Sequence, residues 1–239
     1  MVKTRYKLKP FIKPLTCRNS TTRVTSNENP NKKEYYVKRI AVLGLYNSGS
    51  TAIAGVLHRL GISMGPPFWR SSNDNDPNNF YESVDLSWHL RRWWNEPELI
   101  EKTAAADRIR FLKHWIALQE CAHPGPSGAK HPLLSLCGDD LIAAWGPEIQ
   151  FIWTWRPLEQ SIAGLQRRGW FPGAEESLQQ HLWKSLHDFE SRHANVFKLD
   201  WTQAQSDPEG VTRQLASLLD LDRSEEQLRT ASGFIRAVA

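Results

Sequence analysis

Residues 39–61 read Arg39-Ile-Ala-Val-Leu-Gly44-Leu-Tyr-Asn-Ser-Gly49-Ser-Thr-Ala-Ile-Ala-Gly-Val-Leu-His-Arg-Leu-Gly61, and this stretch decides the fold. Its first part, residues 39–45, is short and apolar with Gly44 at its end, the pattern of a strand buried on both faces of a parallel sheet. Its second part, residues 49–61, places Ile53, Val56, Leu57 and Leu60 on one helical face, with Gly61 as the stop. The joint between them, Gly44 to Thr51, has the spacing G-x-x-x-x-G-K-S/T of a phosphate-binding loop, with Ser50 where nucleotide hydrolases carry Lys. Backbone N–H groups of residues 47–51 and the positive end of the helix suffice for an anion site without that Lys. A glycine-containing turn that binds nothing has the same local pattern.

The same arrangement recurs downstream. Residues 150–155 (Gln-Phe-Ile-Trp-Thr-Trp) predict a second buried strand, ended by Arg156-Pro157 and followed by a helix over 158–168. Ligands of open parallel sheets sit at this strand edge. There the Arg156 guanidinium can hold a phosphate through two parallel hydrogen bonds, or serve as an ordinary surface ion-pair residue. Ser161, one turn on, offers a hydroxyl. Further helices are predicted over 83–95, 97–121, 175–192, 209–219 and 224–236, a strand over 196–199, and loops over 62–82 and 122–132. Strands alternating with helices imply an α/β three-layer sandwich with a central parallel sheet, like that of P-loop nucleotide hydrolases.

Charge divides the chain. The total is +4, but residues 1–39 hold 11 Lys/Arg against two acids, Glu28 and Glu34. Residues 40–239 hold 19 Lys/Arg against 24 acids. The expected organisation is a basic, flexible tail over 1–37 and one α/β domain over 38–239. An acidic body argues against a nucleic-acid-binding fold. No apolar run approaches the length of a membrane span. Three scattered cysteines (Cys17, Cys121, Cys137) make neither a disulfide framework nor a metal knuckle. His181, His187 and His193 are spread around a helix, so no metal site is expected. A cytoplasmic setting is the default expectation.

Five segments, in order, resemble the sulfotransferase family, whose members use 3′-phosphoadenosine 5′-phosphosulfate. They are Val42 to Gly61; Asn79-Phe-Tyr-Glu-Ser-Val-Asp-Leu86; Lys130-His131-Pro132; Phe151 through Arg168; and Phe197-Lys-Leu-Asp200 with Asp207-Pro-Glu-Gly. The resemblance covers about residues 38–236 and is nearest to bacterial-type members, whose acceptors are often glycans or small hydroxyl compounds. It implies that Asn47, Ser48, Gly49, Ser50 and Thr51 cradle the 5′-phosphosulfate and that Arg156 holds the 3′-phosphate. It implies a product, adenosine 3′,5′-bisphosphate, and no metal. The chain departs from the pattern at named positions. Asn47 stands where the family usually has Arg or Lys. Gly164 stands where it commonly has the Ser of the 3′-phosphate site, so that Ser161 would have to substitute. His131 stands where it has Asp.

Sulfuryl transfer needs in-line positioning, charge stabilisation on the leaving oxygen, and a base on the acceptor hydroxyl. Glu82 is the candidate base, because burial beside an aromatic pair at the end of the long loop is expected to raise its carboxyl toward the working range; Asp85 is the next choice, and a helix-capping role is the bland alternative. Lys130 is the candidate cation in place of the one missing at Asn47. Trp69, Trp88, Trp93, Trp94 and Trp170 are candidates for stacking on the acceptor. Two other readings stay open: a P-loop nucleotide kinase, and a non-catalytic adenosine bisphosphate-binding protein.

Overall fold

The computed structural model of the chain describes residues 38–69 and 79–238. The expected basic tail and part of the loop before Asn79 lie outside the described residues. Four strands, β1 (Arg39–Gly44), β2 (Ser127–Lys130), β3 (Gln150–Trp155) and β4 (Val196–Asp200), form one all-parallel sheet in the order β2-β1-β3-β4. The register pairs Val42 with Lys130 and Gly44 with Thr154. The chain runs from β1 to one neighbour, β2, and then crosses to the other, β3, so the order in which strands are added reverses at β1 while all strands stay parallel.

Alternation along the strands feeds two cores. Ala41 and Leu43 of β1, with Phe151 and Trp153 of β3, belong to one apolar cluster. Ile40, Val42 and Ile152 belong to the other. The first face is covered by α2 (Val84–Trp94), α3 (Ala105–Ala122), α4 (Gly138–Trp145), α5 (Leu158–Arg168) and α6 (Glu175–Glu190). The second is covered by α1 (Ser50–Arg59), α7 (Trp201–Ser206), α8 (Pro208–Leu218) and α9 (Glu225–Val238). This is the three-layer α/β sandwich that the strand–helix alternation predicts.

One expected loop is a strand. Residues 127–130 (Ser-Gly-Ala-Lys) carry no apolar run, yet they are buried and paired along β1. A Cβ on Gly128 would lie 2.8 Å from the Ile40 carbonyl oxygen, so the small residues that disguise the strand are what lets it approach β1. The helix expected over 97–121 begins only at Ala105. Helix α4 and a 3-10 turn, Pro132–Leu136, occupy a stretch for which no element is predicted from the sequence.

Candidate functional site

All four strands deliver residues to one cleft of about 980 Å³ at their C-terminal edge. From the end of β1 come Tyr46 to Thr51, from β2 Lys130, from beyond β3 Arg156, and from beyond β4 Trp201. Gly164, Arg167, Arg168 and Trp170 close it from the side of α5, and Asn79, Phe80, Glu82 and Arg91 from the side of α2.

The loop after β1 is held at both ends. Gln179, fully buried on α6, clamps Tyr46: the Tyr46 N–H donates to Gln179 Oε1 at 3.2 Å and Gln179 Nε2 donates to the Tyr46 carbonyl at 2.8 Å. Asn47 has φ +60°, a left-handed conformation that Asn tolerates better than most residues. Gly49 has φ +91° and lies against the Trp201 ring so closely that any Cβ would overlap it. The first turn of α1 follows at once, with Ser50 nearly buried and Thr51 facing the cleft. The helix end brings its partial positive charge to the same place.

Lys130 and Glu82 meet at the cleft floor. Lys130 Nζ donates to Glu82 Oε1 at 2.6 Å and to Thr51 Oγ1 at 2.9 Å, so one ammonium bridges the phosphate-type loop and the carboxylate. Glu82 lies just ahead of α2, with its carboxylate spent on Lys130 rather than on the helix end, so the capping alternative does not hold. Tyr81, with φ +52°, turns the chain immediately before it; a bulky residue there stores strain, of the kind that collects at functional sites. Burial pushes the Glu82 carboxyl up, as the sequence suggests, but the Lys130 ammonium, with a smaller contribution from Arg91, outweighs it and holds the group below its ordinary value, so the expected net rise is not found. Glu82 is therefore ionised, with Oε2 free to accept a proton.

His131 faces that free oxygen. Its Nδ1 accepts from the Leu133 N–H at 3.1 Å, and a backbone N–H can only donate, so the neutral ring carries its proton on Nε2. Nε2 lies 3.9 Å from Glu82 Oε2. Burial, opposed by Glu82, brings the imidazole down to about 4, which keeps it neutral.

Arg156, Arg167 and Arg168 line the same cleft, beside Asn47. Among the described residues none of them pairs with a carboxylate. Burial and the neighbouring Arg167 charge both lower Arg156, the mark of cations gathered without an internal counter-ion. Arg156 Nη1 donates to the Asn47 carbonyl at 3.0 Å and Arg168 Nε to Asn47 Oδ1 at 3.4 Å.

Of the residues singled out in the sequence, the structure brings together Asn47, Ser48, Gly49, Ser50, Thr51, Arg156, Glu82 and Lys130. It does not bring in Ser161, which is fully buried in α5 with no partner for its hydroxyl; Gly164, one turn further, lines the cleft instead. Asp85 is exposed on α2 and stands outside the cleft. Trp170 lines the cleft, while Trp93 and Trp94 are core residues, Trp88 is 47% exposed, and Trp69 packs under Arg91. The three histidines diverge: His187 sets its ring edge against Trp153, and His193 contacts Asp139. Among the described residues no group of three or more His, Cys, Asp or Glu side chains could hold a metal, and no helix is long and apolar enough to cross a membrane.

Sequence reasoning missed Tyr46, Phe80, Phe171 and Trp201. Phe80 meets Trp170 edge to face at 5.9 Å, and Tyr46 meets Phe171 at 5.3 Å, so two aromatic pairs line the cleft. Phe171 has φ +57°, a strained conformation for a bulky side chain, and directly follows Trp170. An aromatic residue in a turn is the one signal that could have pointed to it.

No family model matches the sequence, and no curated relative matches it. Solved structures do match. A sulfotransferase of Mycobacterium avium superposes with a TM-score of 0.54 at 13% identity, over 87% of this chain and 69% of its own. A sulfotransferase of Mycobacterium tuberculosis superposes with a TM-score of 0.51 at 18% identity, over 83% of this chain and 71% of its own. With a parallel sheet of this order, a phosphate-type loop after β1 and an arginine after β3, the chain has the sulfotransferase fold.

Proposed function

We propose that the chain is a sulfotransferase that moves a sulfuryl group from 3′-phosphoadenosine 5′-phosphosulfate to a hydroxyl of a glycan or small molecule. The observation that carries this reading is Lys130, held between Thr51 of the anion-type loop and the Glu82 carboxylate. A cation between a phosphate cradle and a base is what sulfuryl transfer to a hydroxyl requires.

The residues fit such a donor. Residues 47–51 would hold the 5′-phosphosulfate through backbone N–H groups, and Arg156 with Arg168 would hold the 3′-phosphate. When bound, the donor supplies an activated sulfuryl group. The protein's own steps concern charge and protons. Glu82 Oε2 accepts the proton of the acceptor hydroxyl. Lys130 Nζ turns toward negative charge gathered at Thr51, and in leaving Oε1 it frees Glu82 to become a stronger base. His131 Nε2–H steadies the carboxylate as its hydrogen bonding changes. The aromatic pairs Phe80–Trp170 and Tyr46–Phe171 exclude water and offer flat faces to the acceptor.

Mass spectrometry of labelled-sulfate transfer to a panel of glycans and alcohols tests this reading. Glu82→Gln should cut turnover roughly 100- to 10,000-fold while bisphosphate binding persists. Binding of the bisphosphate with no transfer to any acceptor would leave a non-catalytic nucleotide-binding protein. Thermal stabilisation by ATP–Mg²⁺, with none by the bisphosphate, would point to a nucleotide kinase instead.

A further inference from the structure

We propose that the Asn47 side-chain amide is a ligand of the phosphate held by the arginine wall, the 3′-phosphate under the function proposed above, and that Gly164 is the residue that makes room for it. The assignment deepens that reading and rests on it. It moves the Asn47 side chain away from the transferring sulfuryl group, although its backbone belongs to the loop after β1.

Three observations carry it. First, the Asn47 side chain leaves the loop and crosses to α5. A Cβ on Gly164 would overlap Asn47 Nδ2 and lie 2.6 Å from its Cγ, so the amide fills the volume that any other side chain at 164 would need. Second, both oxygens of Asn47 are taken by arginines. Its carbonyl accepts from Arg156 Nη1 at 3.0 Å, and its Oδ1 from Arg168 Nε at 3.4 Å. That fixes the amide orientation and leaves Nδ2, with two N–H groups, as the only unspent hydrogen-bonding group of the side chain. Third, Asn47, Gly164 and the three arginines line the same cleft, and among the described residues no carboxylate neutralises Arg156, Arg167 or Arg168. An anion held by such a wall accepts charge-assisted bonds from neutral donors as well as from cations. An amide adds donors there without adding a fourth charge to a set of arginines that already repel one another.

The pairing gives the test its form, because the effect of changing residue 164 must depend on residue 47. Titration calorimetry on the full chain would compare adenosine 3′,5′-bisphosphate with adenosine 5′-monophosphate, which lacks the 3′-phosphate. Asn47→Gly is the primary variant, since Gly takes the left-handed conformation without strain and keeps the carbonyl that Arg156 holds. It should weaken the bisphosphate about ten-fold or more and leave the monophosphate nearly unchanged. Gly164→Ala, a change that otherwise favours a helix, should produce the same selective loss by displacing the amide. In the Asn47→Gly background Gly164→Ala should cost nothing further, because no amide remains to displace.

The proposal is overturned if Asn47→Gly weakens both nucleotides alike, or neither, or if the Gly164→Ala loss adds in full to that of Asn47→Gly. A native chain that binds neither nucleotide overturns the sulfotransferase reading itself. Native preference for the bisphosphate, combined with any of the three overturning outcomes, removes only the role given to Asn47. A thermal melt of each variant separates loss of binding from loss of fold.

Discussion

Lys130 decides the charge state of Glu82 in the cleft. It holds Glu82 ionised in a place where burial alone would favour the neutral acid. Removing the cation while keeping the bulk, as in Lys130→Met, leaves burial as the dominant influence, so the Glu82 carboxyl should rise. The acid limb of the kcat/KM pH profile should then move to higher pH, with a fall in the plateau. A limb that stays in place under Lys130→Met would show that Glu82 is not the titrating base. His131 makes a separate prediction about stability. Its ring falls from 6.5 to about 4 on folding, so between these values the unfolded chain binds the extra proton. Its contribution is therefore complete above pH 6.5 and is lost as pH falls toward 4, reaching a loss of about 2 kcal/mol at pH 5. Urea melts at pH 7 and pH 5 should show this difference, and His131→Gln should reduce it.

At the scale of elements, the joint between β1 and α1 depends on one contact that local sequence does not reveal. Gly49 is needed for its φ of +91° and because the Trp201 ring, 152 positions later at the start of α7, leaves no room for a Cβ. Gly49→Ala should destabilise the fold by roughly 2–4 kcal/mol, from the left-handed backbone and the overpacking together. It should also displace Trp201 from the cleft, weakening nucleotide binding in a titration done well below the melting temperature. Gly55→Ala meets the Phe234 ring instead, at the packing of α1 on α9 and away from the cleft. It should lower stability in the same melt without changing nucleotide affinity. The strand–loop–helix units around residues 44–51 and 154–161 were legible in the sequence because apolar runs, Gly and Arg-Pro punctuate them locally. Strand β2 was not legible, because Ser127-Gly-Ala-Lys130 is a strand only by virtue of lying against β1.

For the whole molecule, charge placement matters more than charge total. Residues 40–239 carry more acids than bases, yet the cleft gathers Lys130, Arg156, Arg167 and Arg168 within one wall and floor. Affinity for an anionic nucleotide should then come from these few groups and the loop amides, and single substitutions there should remove it. A chain lacking residues 1–36 should bind the bisphosphate as the full chain does, a comparison that calorimetry on the two chains makes directly. Loss of binding on that deletion would transfer part of the site to the basic tail.

The sequence by itself determined the layer architecture, and it pointed to two strand ends as candidate anion sites and to Glu82, Lys130 and Arg156 as the groups to watch. These follow from periodicity, from turn-forming residues and from motif order, all of which act over a few neighbouring positions. Only the tertiary structure decided that Lys130 bridges Glu82 and Thr51, 48 and 79 positions away, that Gly164 rather than Ser161 faces the cleft, and that Asn47 fills the space above Gly164. The physical reason is that each of these depends on where the sheet sets two distant segments side by side. A hydrogen bond or a missing Cβ has meaning only once that distance is fixed.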